Sequence, residues 1–319
     1  MLVTVVIATY NRPELLLEAL KSVAAQSYGN WEVVVVDDGS APPVNLPAAE
    51  AALGNKIRLV RHDTPQGVPA AKNAGVRRAS GELIFHLDDD DLLAADALQR
   101  VVEVYSAHRE LDCVFLNIEP FGKFAESTKR NQDAALAKVV EKAGAGEKDG
   151  VVFFGEGLFE ALLKSVPLAL QRPVARRGTW NMVGEMTTGL IFSEPDWAIR
   201  TALQCRTALL TAPLCKWRVD GQNFASRPEM RGQALEAGVA ATRHLQERLR
   251  RQATRYQAEA RQVRQRLGQA YFDKAYYHVG RGERLPAWSA LLGSFFIAPG
   301  WKHARLGLRS LLPKRENET

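Results

Sequence analysis

Residues 84–91 read Ile-Phe-His-Leu-Asp-Asp-Asp-Asp, an apolar stretch that ends abruptly in four consecutive acids. The apolar residues predict a buried strand, and open α/β sheets bind ligands beyond the carboxyl ends of their strands. Carboxylate oxygens suit Mg²⁺ or Mn²⁺, and Mg²⁺ usually binds together with substrate phosphates. Four adjacent carboxylates repel one another unless a cation neutralises them. The stretch therefore predicts either a divalent-cation site or a solvated acidic turn that caps the following helix.

Strand and helix patterns alternate on both sides of this stretch. The predicted elements are strands at 2–9, 31–36, 56–61 and 82–87, with helices at 13–26 and 69–79. Pro13 fits the first turn of its helix, where a missing N–H costs nothing. The order predicts an α/β fold, with a mostly parallel sheet flanked by helices. Further along, residues 168–175 predict a strand that Pro173 confines to a sheet edge or interrupts.

The charge along the chain predicts a second region. The whole chain has 319 residues, 46% of them hydrophobic, and a net charge of +6. Residues 226–319 hold 18 Lys and Arg against 8 Asp and Glu, whereas the preceding 225 residues hold 24 against 28. We therefore predict a domain at 1–225 and a basic helical region at 226–319. In that region, residues 229–278 predict one long helix, or two helices broken near Gly268.

The cysteines and the hydropathy of the chain favour a cytoplasmic protein. Its three cysteines are widely spaced and odd in number, which fits neither a disulfide framework nor a zinc site. No signal peptide is visible at residues 2–8, and no apolar run is long enough to span a bilayer.

Several polar residues lie where the predicted strands end. Thr9, Tyr10 and Arg12 follow the first strand, where Tyr10 could stack on a base and Arg12 could face a phosphate. Asp37 and Asp38 follow the second strand, where acids can bind a nucleoside. Each group also has a simpler interpretation, a helix entry in the first case and an Asp-Gly turn in the second.

Two further groups lie next to predicted helices. Lys72 and Asn73 occupy the first turns of a helix after Gly67, and helix N-terminal amides with a lysine favour a diphosphate site. A plain junction between a loop and a helix is the simpler interpretation. The spacing matches neither a Walker loop nor a dinucleotide-binding fingerprint. Glu194 and Asp196 precede another helix, and either carboxylate could act as a general base or as a helix cap.

Taken together, these motifs resemble those of a family 2 inverting glycosyltransferase of the non-processive bacterial type, with a GT-A fold. The matching stretches, in chain order, are Val5–Arg12, Val34–Ser40, Gly67 with Lys72–Gly75, Gly81–Asp91, Val183-Gly184, Ser193–Trp197 with Arg200, and Lys216–Val219. The resemblance covers roughly residues 1–225.

The resemblance implies a role for each matching residue. Thr9 and Asp38, with Asp37 nearby, would hold the base and ribose of a nucleotide-sugar donor, and Lys72 would approach the nucleotide. Asp88, Asp89 and Asp90 would form the Asp-x-Asp motif, with Asp90 binding Mn²⁺ or Mg²⁺ and Asp88 orienting the ribose or the metal.

The resemblance also implies the base and one further metal ligand. Asp196 matches the family's catalytic base, but Pro195 separates it from Glu194, so Glu194 is the alternative base. Asp220 stands where relatives often carry a histidine, so any metal ligation from that strand would come from this carboxylate.

The resemblance finally implies transfer of a sugar, from UDP by family habit, to a saccharide or lipid-linked saccharide in cell-surface polysaccharide synthesis. The basic helices, with Trp288, Phe295, Phe296 and Trp301, predict docking on an anionic membrane surface. Packing on the first domain and homodimer formation are the alternatives. Two other functions remain open, a sugar nucleotidyltransferase and a non-catalytic nucleic-acid-binding protein that uses the basic helix.

Overall fold

A computed structural model of the chain describes residues 1–191, 193–220, 231–252 and 254–311. The chain divides into two compact units, residues 1–223 and 224–319. The domain boundary predicted between residues 225 and 226 lies outside the described residues.

The first unit is built on one mixed sheet, which has ten strands within the described residues. The strands are β1 Val3–Thr9, β2 Trp31–Asp37, β3 Ile57–Arg61, β4 Leu83–Asp88, β5 Leu92–Leu93, β6 Cys113–Phe121, β7 Gly144–Lys148, β8 Val151–Phe154, β9 Pro173–Arg176 and β10 Thr207–Arg218. Their order is β3-β2-β1-β4-β9-β6-β10-β8-β7, and β5 pairs with β10. The strands β3, β2, β1 and β4 run parallel to one another, and β9 begins the half that contains antiparallel pairs.

Helices cover both faces of this sheet, which confirms the predicted α/β class. They are α1 Pro13–Ala24, α2 Leu46–Leu53, α3 Val68–Arg78, α4 Ala97–Ala107, α5 Ala125–Ala143, α6 Leu158–Lys164, α7 Arg177–Val183 and α8 Glu194–Gln204. Two hydrophobic clusters result, one on each face of the sheet. Val5 and Val6, adjacent on β1, belong to different clusters and are both fully buried. Burial on both faces explains why the parallel strands read as continuous apolar runs.

The prediction of an edge or interrupted strand at residues 168–175 is wrong in its edge alternative and in its first half, since the strand β9 begins only at Pro173. Residues Leu168–Gln171 form a short 3₁₀ helix, and β9 lies inside the sheet, hydrogen-bonded to β4 and β6. Pro173 is tolerated there because it is the first residue of the strand, opposite Phe115 of β6, where the pairing with β4 has not yet begun.

The second unit is helical in its described residues, with α9 Arg231–Arg250, α10 Gln257–Arg281, α11 Arg284–Ile297 and α12 Trp301–Leu311. The helix break predicted near Gly268 is wrong, because Gly268 lies within α10 and the break falls between Arg250 and Gln257. Gly268 is small enough to let Ile297 and Ala298 pack against it. Among the described helices, none is both long and apolar enough to cross a membrane.

Candidate active site

The register of the parallel strands brings the predicted site residues to one edge of the sheet. Thr9, the last residue of β1, is paired with Asp37 of β2, and Ala8 is paired with Asp88 of β4. The carboxyl ends of three neighbouring strands therefore present their polar residues together, which is where α/β sheets bind ligands.

Asp88 lies between two buried cations. Its Oδ1 accepts a hydrogen bond from Lys72 Nζ at 2.7 Å, and its Oδ2 lies 2.8 Å from Arg172 Nη2. Arg172 Nη2 also donates to Asp91 Oδ2 at 2.7 Å. Burial alone would raise the pKa of Asp88, but Lys72 and Arg172 outweigh it and hold that pKa well below its usual value. Asp88 is therefore a fixed anion at the end of β4.

The middle two acids face Arg12. Asp89 accepts hydrogen bonds from Thr9 Oγ1 at 2.8 Å and from Arg12 Nη1 at 3.1 Å, and Arg12 Nη1 lies 3.3 Å from Asp90 Oδ2. Burial raises the pKa of Asp89 to about 6 despite Arg12. Burial and the charge of Asp88 also raise the pKa of Asp90. Asp89 and Asp90 thus share one guanidinium, and burial opposes the ionisation of both.

Asp37 and Asp38 perform different tasks in the turn after β2. Asp37 is fully buried, and it accepts hydrogen bonds from Ser40 N at 2.8 Å, from Val44 N at 3.1 Å and from the guanidinium of Arg61. Its carboxylate therefore holds the turn and points away from solvent.

Asp38 reaches over to the loop before α3. Its two oxygens accept hydrogen bonds from the backbone N–H groups of Gln66 at 2.9 Å and Gly67 at 2.8 Å. His62 Nδ1 lies 2.7 Å from Asp38 Oδ1. Asp38 thereby joins the end of β2 to the start of α3, the helix that carries Lys72.

Glu194, and not Asp196, is the acid that contacts this cluster. Lys72 Nζ donates to Glu194 Oε1 at 2.5 Å as well as to Asp88. Asp196 lies two residues after Glu194 on α8, and its side chain is only 2% exposed. Its carboxylate pairs with Arg200 Nε at 3.0 Å and accepts a hydrogen bond from Thr187 Oγ1 at 2.9 Å. Arg200 also donates to the carbonyls of Val183 and Glu185, so Asp196 helps to hold the segment before α8.

Asn73, Tyr10 and Asp220 have no hydrogen bond to the four acids of residues 88–91 among the contacts of the described residues. The Asn73 side chain is buried and exchanges two hydrogen bonds of 2.9 Å with the backbone of Met186. Tyr10 follows Thr9 directly and is 48% exposed. Asp220, just past β10, accepts a hydrogen bond from Lys123 N at 3.2 Å and lies 3.8 Å from Arg218 Nη1.

Sequence reasoning missed Arg172 and did not assign a role to Arg218. Arg172 lies between the 3₁₀ helix and β9, outside every recognised motif, so only the pairing of β9 with β4 and β6 places it beside Asp88. Arg218 ends β10, where its Nε donates to the carbonyl of Asp90 at 3.1 Å and its backbone N–H to Asp91 at 3.2 Å. A lone arginine gives no pattern signal, although Arg218 does fall within the matched stretch 216–219.

The described residues fit a metal that is shared with a substrate. Over residues 1–191, 193–220, 231–252 and 254–311, no three His, Cys, Asp or Glu side chains are grouped to hold a metal alone. Mg²⁺, however, is often bound by one or two carboxylates together with substrate phosphates. Asp90, 17% exposed and carrying a raised pKa, fits such a ligand better than Asp88, whose two oxygens already face Lys72 and Arg172.

The polar residues at this edge of the sheet lie mostly within a region that matches a known protein family. The model of Glycosyl transferase family 2 matches residues 4–166, about half of the chain. The chain belongs to glycosyl transferase family 2. This confirms the family that the sequence motifs predicted, and the matched range of the family 2 chain includes the four acids, Lys72 and Asp38.

A named relative and two solved structures are similar to this family 2 chain. The Escherichia coli UDP-Glc:alpha-D-GlcNAc-diphosphoundecaprenol beta-1,3-glucosyltransferase WfgD is 30% identical over 103 residues, which is 32% of this chain and 40% of that protein. The match to the curated relatives spans two fifths or less of their length.

The structural likenesses show the fold. S. aureus TarS 1-349, in complex with UDP-GlcNAc, has a TM-score of 0.58 at 15% identity, covering 98% of this chain and 80% of its own. The mannosyltransferase PcManGT of Pyrobaculum calidifontis, in complex with GDP-Man and Mn²⁺, has a TM-score of 0.54 at 19% identity. The match covers 97% of this chain and 83% of the PcManGT chain. The GT-A architecture of the sheet and its flanking helices is thereby confirmed.

Proposed function

We propose that the chain transfers a sugar from a nucleotide-sugar donor to an acceptor hydroxyl, with inversion at the anomeric carbon. The observation that carries this proposal is the Asp88–Lys72–Glu194 connection, which links the acid motif after β4 to an acid at the start of α8. An anion-rich site with a second carboxylate beside it suits a single displacement, in which no enzyme nucleophile is needed.

We propose a UDP-sugar as the donor. Asp38 and Thr9 would face the nucleoside, and the exposed ring of Tyr10 would stack on the base. The names of WfgD and of the TarS complex support uridine, because each contains a UDP-sugar. The acceptor would be a hydroxyl of a saccharide or lipid-linked saccharide in cell-surface polysaccharide synthesis. The name of WfgD supports this, because it contains a GlcNAc linked through diphosphate to undecaprenol.

Asp90, assisted by Asp88, would hold a divalent cation together with the donor diphosphate. Bound there, Mn²⁺ or Mg²⁺ would act as a Lewis acid on the departing diphosphate. Arg12, which contacts both Asp89 and Asp90, would add positive charge near the phosphates. The Mn²⁺ in the name of the PcManGT complex supports a divalent cation as the cofactor.

We propose Glu194 as the general base, in place of the Asp196 that the sequence motif favours. Glu194 is partly accessible, with a side chain 14% exposed. Asp196 is only 2% exposed, and its Oδ2 accepts hydrogen bonds from both Arg200 and Thr187. A base must reach the acceptor hydroxyl to remove its proton, and that requirement favours the more accessible acid.

The donor assignment is tested by a panel of nucleotide sugars with Mn²⁺, scored by the release of nucleotide. We expect release from a UDP-sugar, its loss in excess chelator, and its loss in Asp90→Asn. Arg109→Gln, an exposed change elsewhere in the first unit, serves as the control and should not alter turnover. Full turnover in chelator would refute the catalytic metal, and turnover only of another nucleotide would refute UDP.

The base is tested by a matched pair of variants, Glu194→Gln and Asp196→Asn. We expect Glu194→Gln to lower the transfer rate by about 10²- to 10⁴-fold, which is the usual contribution of a general base, while binding of UDP persists. Asp196→Asn should mainly lower thermal stability, because it leaves Arg200 buried without its carboxylate. A folded Asp196→Asn that binds UDP but transfers no sugar, beside an active Glu194→Gln, would reverse the assignment.

A further inference from the structure

Helix α11 in the second unit has an apolar face that no described element of that unit covers. Between Arg284 and Lys302 the sequence holds no charged residue. Ala287, Ala290, Leu291 and Ser294 face inward and are buried. The opposite face is also apolar, although it is exposed: Leu285 is 86% exposed, Leu292 51% and Phe296 75%. A helix that is apolar all round is normally buried, so this face requires a partner.

Helix α12, which packs against α11, carries further exposed apolar residues. Trp301 is 91% exposed and Leu308 67%. The two helices meet where Gly307 of α12 is small enough for the Trp288 ring of α11 to pack over it. Phe295 of α11 also packs edge-on against His303 of α12, at 5.8 Å between ring centroids. We call the exposed residues Leu285, Leu292, Phe296, Trp301 and Leu308 the apolar stripe.

Positive charge borders the stripe. Residues 284–311 contain no Asp or Glu, and Arg284, Lys302 and Arg305 are exposed among the apolar residues. The acid nearest in sequence, Glu283, is already engaged with Arg281 and His278. Exposed tryptophan and phenylalanine beside lysine and arginine, with acids missing, are typical of helices that lie at an anionic lipid interface.

A basic groove ends at the same helix. It has a volume of about 480 Å³ and is lined by Gln246, Arg250, Gln257, Ala260, Arg261, Arg264 and Ile297. The three arginines are exposed and the groove has no acidic lining residue. Ile297 is the last residue of α11 and follows Phe296 of the stripe directly. Arginine guanidinium groups favour phosphate oxygens, which they bind with two parallel hydrogen bonds.

We propose that the second unit docks on an anionic phospholipid bilayer, with the apolar stripe inserted among the acyl chains and the basic groove holding a lipid headgroup phosphate. Charge complementarity commits the surface to lipid, because a second copy of the chain would bring the same cations against one another. This inference goes beyond sugar transfer and does not depend on it.

The test is co-sedimentation of the full chain with vesicles of phosphatidylcholine alone or mixed equally with phosphatidylglycerol. We expect binding to the mixed vesicles only. The double variant Phe296→Ser with Trp301→Ser should weaken it on the order of 100-fold, because two exposed aromatic side chains lose their burial. Its matched control, Phe124→Ser with Met182→Ser, replaces exposed apolar residues of the first unit and should bind as the wild type does.

The groove is tested by charge. Arg250→Gln, Arg261→Gln and Arg264→Gln together should weaken binding to the mixed vesicles on the order of 100-fold, from about fivefold per cation near an anionic surface. The control triple Arg109→Gln, Arg130→Gln and Lys138→Gln removes the same charge from exposed positions of the first unit and should leave binding unchanged.

Three results would overturn the proposal. The first is equal binding of wild type and stripe variant to the mixed vesicles. The second is equal weakening by the control triple, which would show a nonspecific charge effect. The third is a dimer in size-exclusion chromatography that the stripe variant converts to a monomer, since the stripe would then be covered by a second copy. Vesicle binding needs no nucleotide-sugar donor, so the vesicle results can be interpreted even if the transfer assay fails.

Discussion

At the scale of single residues, the site depends on which cation lies beside which acid. Arg172 is the clearest case, since it is 5% exposed and contacts both Asp88 and Asp91. Burial raises the pKa of Asp91 to about 7 even with Arg172 beside it. The outer two of the four acids are therefore held by one buried guanidinium, while the middle two face Arg12.

Arg172→Met should destabilise the first unit and impair the donor site. Removing one partner of a buried ion pair typically costs about 3–5 kcal/mol, and here two carboxylates lose the same cation. We expect a lower melting temperature and weaker binding of UDP in calorimetry. Arg109→Met, an exposed change, is the control, and a variant at Arg172 with unchanged melting and UDP binding would contradict the role.

Asp37→Asn should destabilise the turn after β2 by about 1–3 kcal/mol, because a buried charge-assisted acceptor is lost. Burial raises the pKa of Asp37, but the hydrogen bonds from Ser40 and Val44 and the charge of Arg61 outweigh it, so the net pKa is lowered. The stabilisation is therefore complete above the unfolded pKa of about 3.9 and is lost as pH falls through the folded value.

Urea unfolding of wild type and Asp37→Asn over a pH series measures this contribution. The difference in the free energy of unfolding should be constant near neutral pH and shrink below about pH 4. A difference that stays constant down to strongly acidic pH would show that the charge of Asp37 contributes nothing.

At the scale of elements, close packing of α3 on the sheet sets the position of Lys72. Gly75 lies one turn after Lys72 on α3, and a Cβ added there would lie 2.2 Å from Cγ1 of Val6 on β1. Both Val6 and Val36, the next nearest contact, are fully buried. The helix can therefore approach the strands only because this position lacks a side chain.

Gly75→Ala should lower stability by about 1–3 kcal/mol, the usual cost of overpacking a core. The displaced helix should also shift Lys72 from Asp88 and Glu194 and lower the rate of sugar transfer. Gly29→Ala is the matched control, because an added Cβ there meets no atom within 4 Å. Equal stability of the two variants would show that the Val6 side chain moves aside without cost.

At the scale of the whole molecule, the chain consists of two units with separate hydrophobic clusters. The first unit has one cluster on each face of its sheet. The second has its own clusters, around Ala275 and Leu291 and around Val239 and Leu267. Each unit thus has a core of its own, and a ligand of one unit should stabilise that unit selectively.

Calorimetric unfolding should therefore show two transitions, and UDP with Mn²⁺ should raise only the one that belongs to the first unit. At 100-fold excess over its dissociation constant, a ligand adds about 2.7 kcal/mol of stability. Asp38→Asn, which removes an acceptor for the backbone at Gly67, should reduce the shift. A single transition that shifts as a whole would show that the two units unfold together.

The sequence by itself determined the α/β class, the family and the group of acids at one edge of the sheet. These follow from local patterns, because apolar runs define strands and the carboxyl ends of parallel strands must meet. Only the tertiary structure decided what each acid contacts. Arg172 reaches Asp88 because β9 inserts between β4 and β6, and Glu194 reaches Lys72 because α8 begins beside α3. Such contacts join residues far apart in the chain, and no spacing rule encodes them.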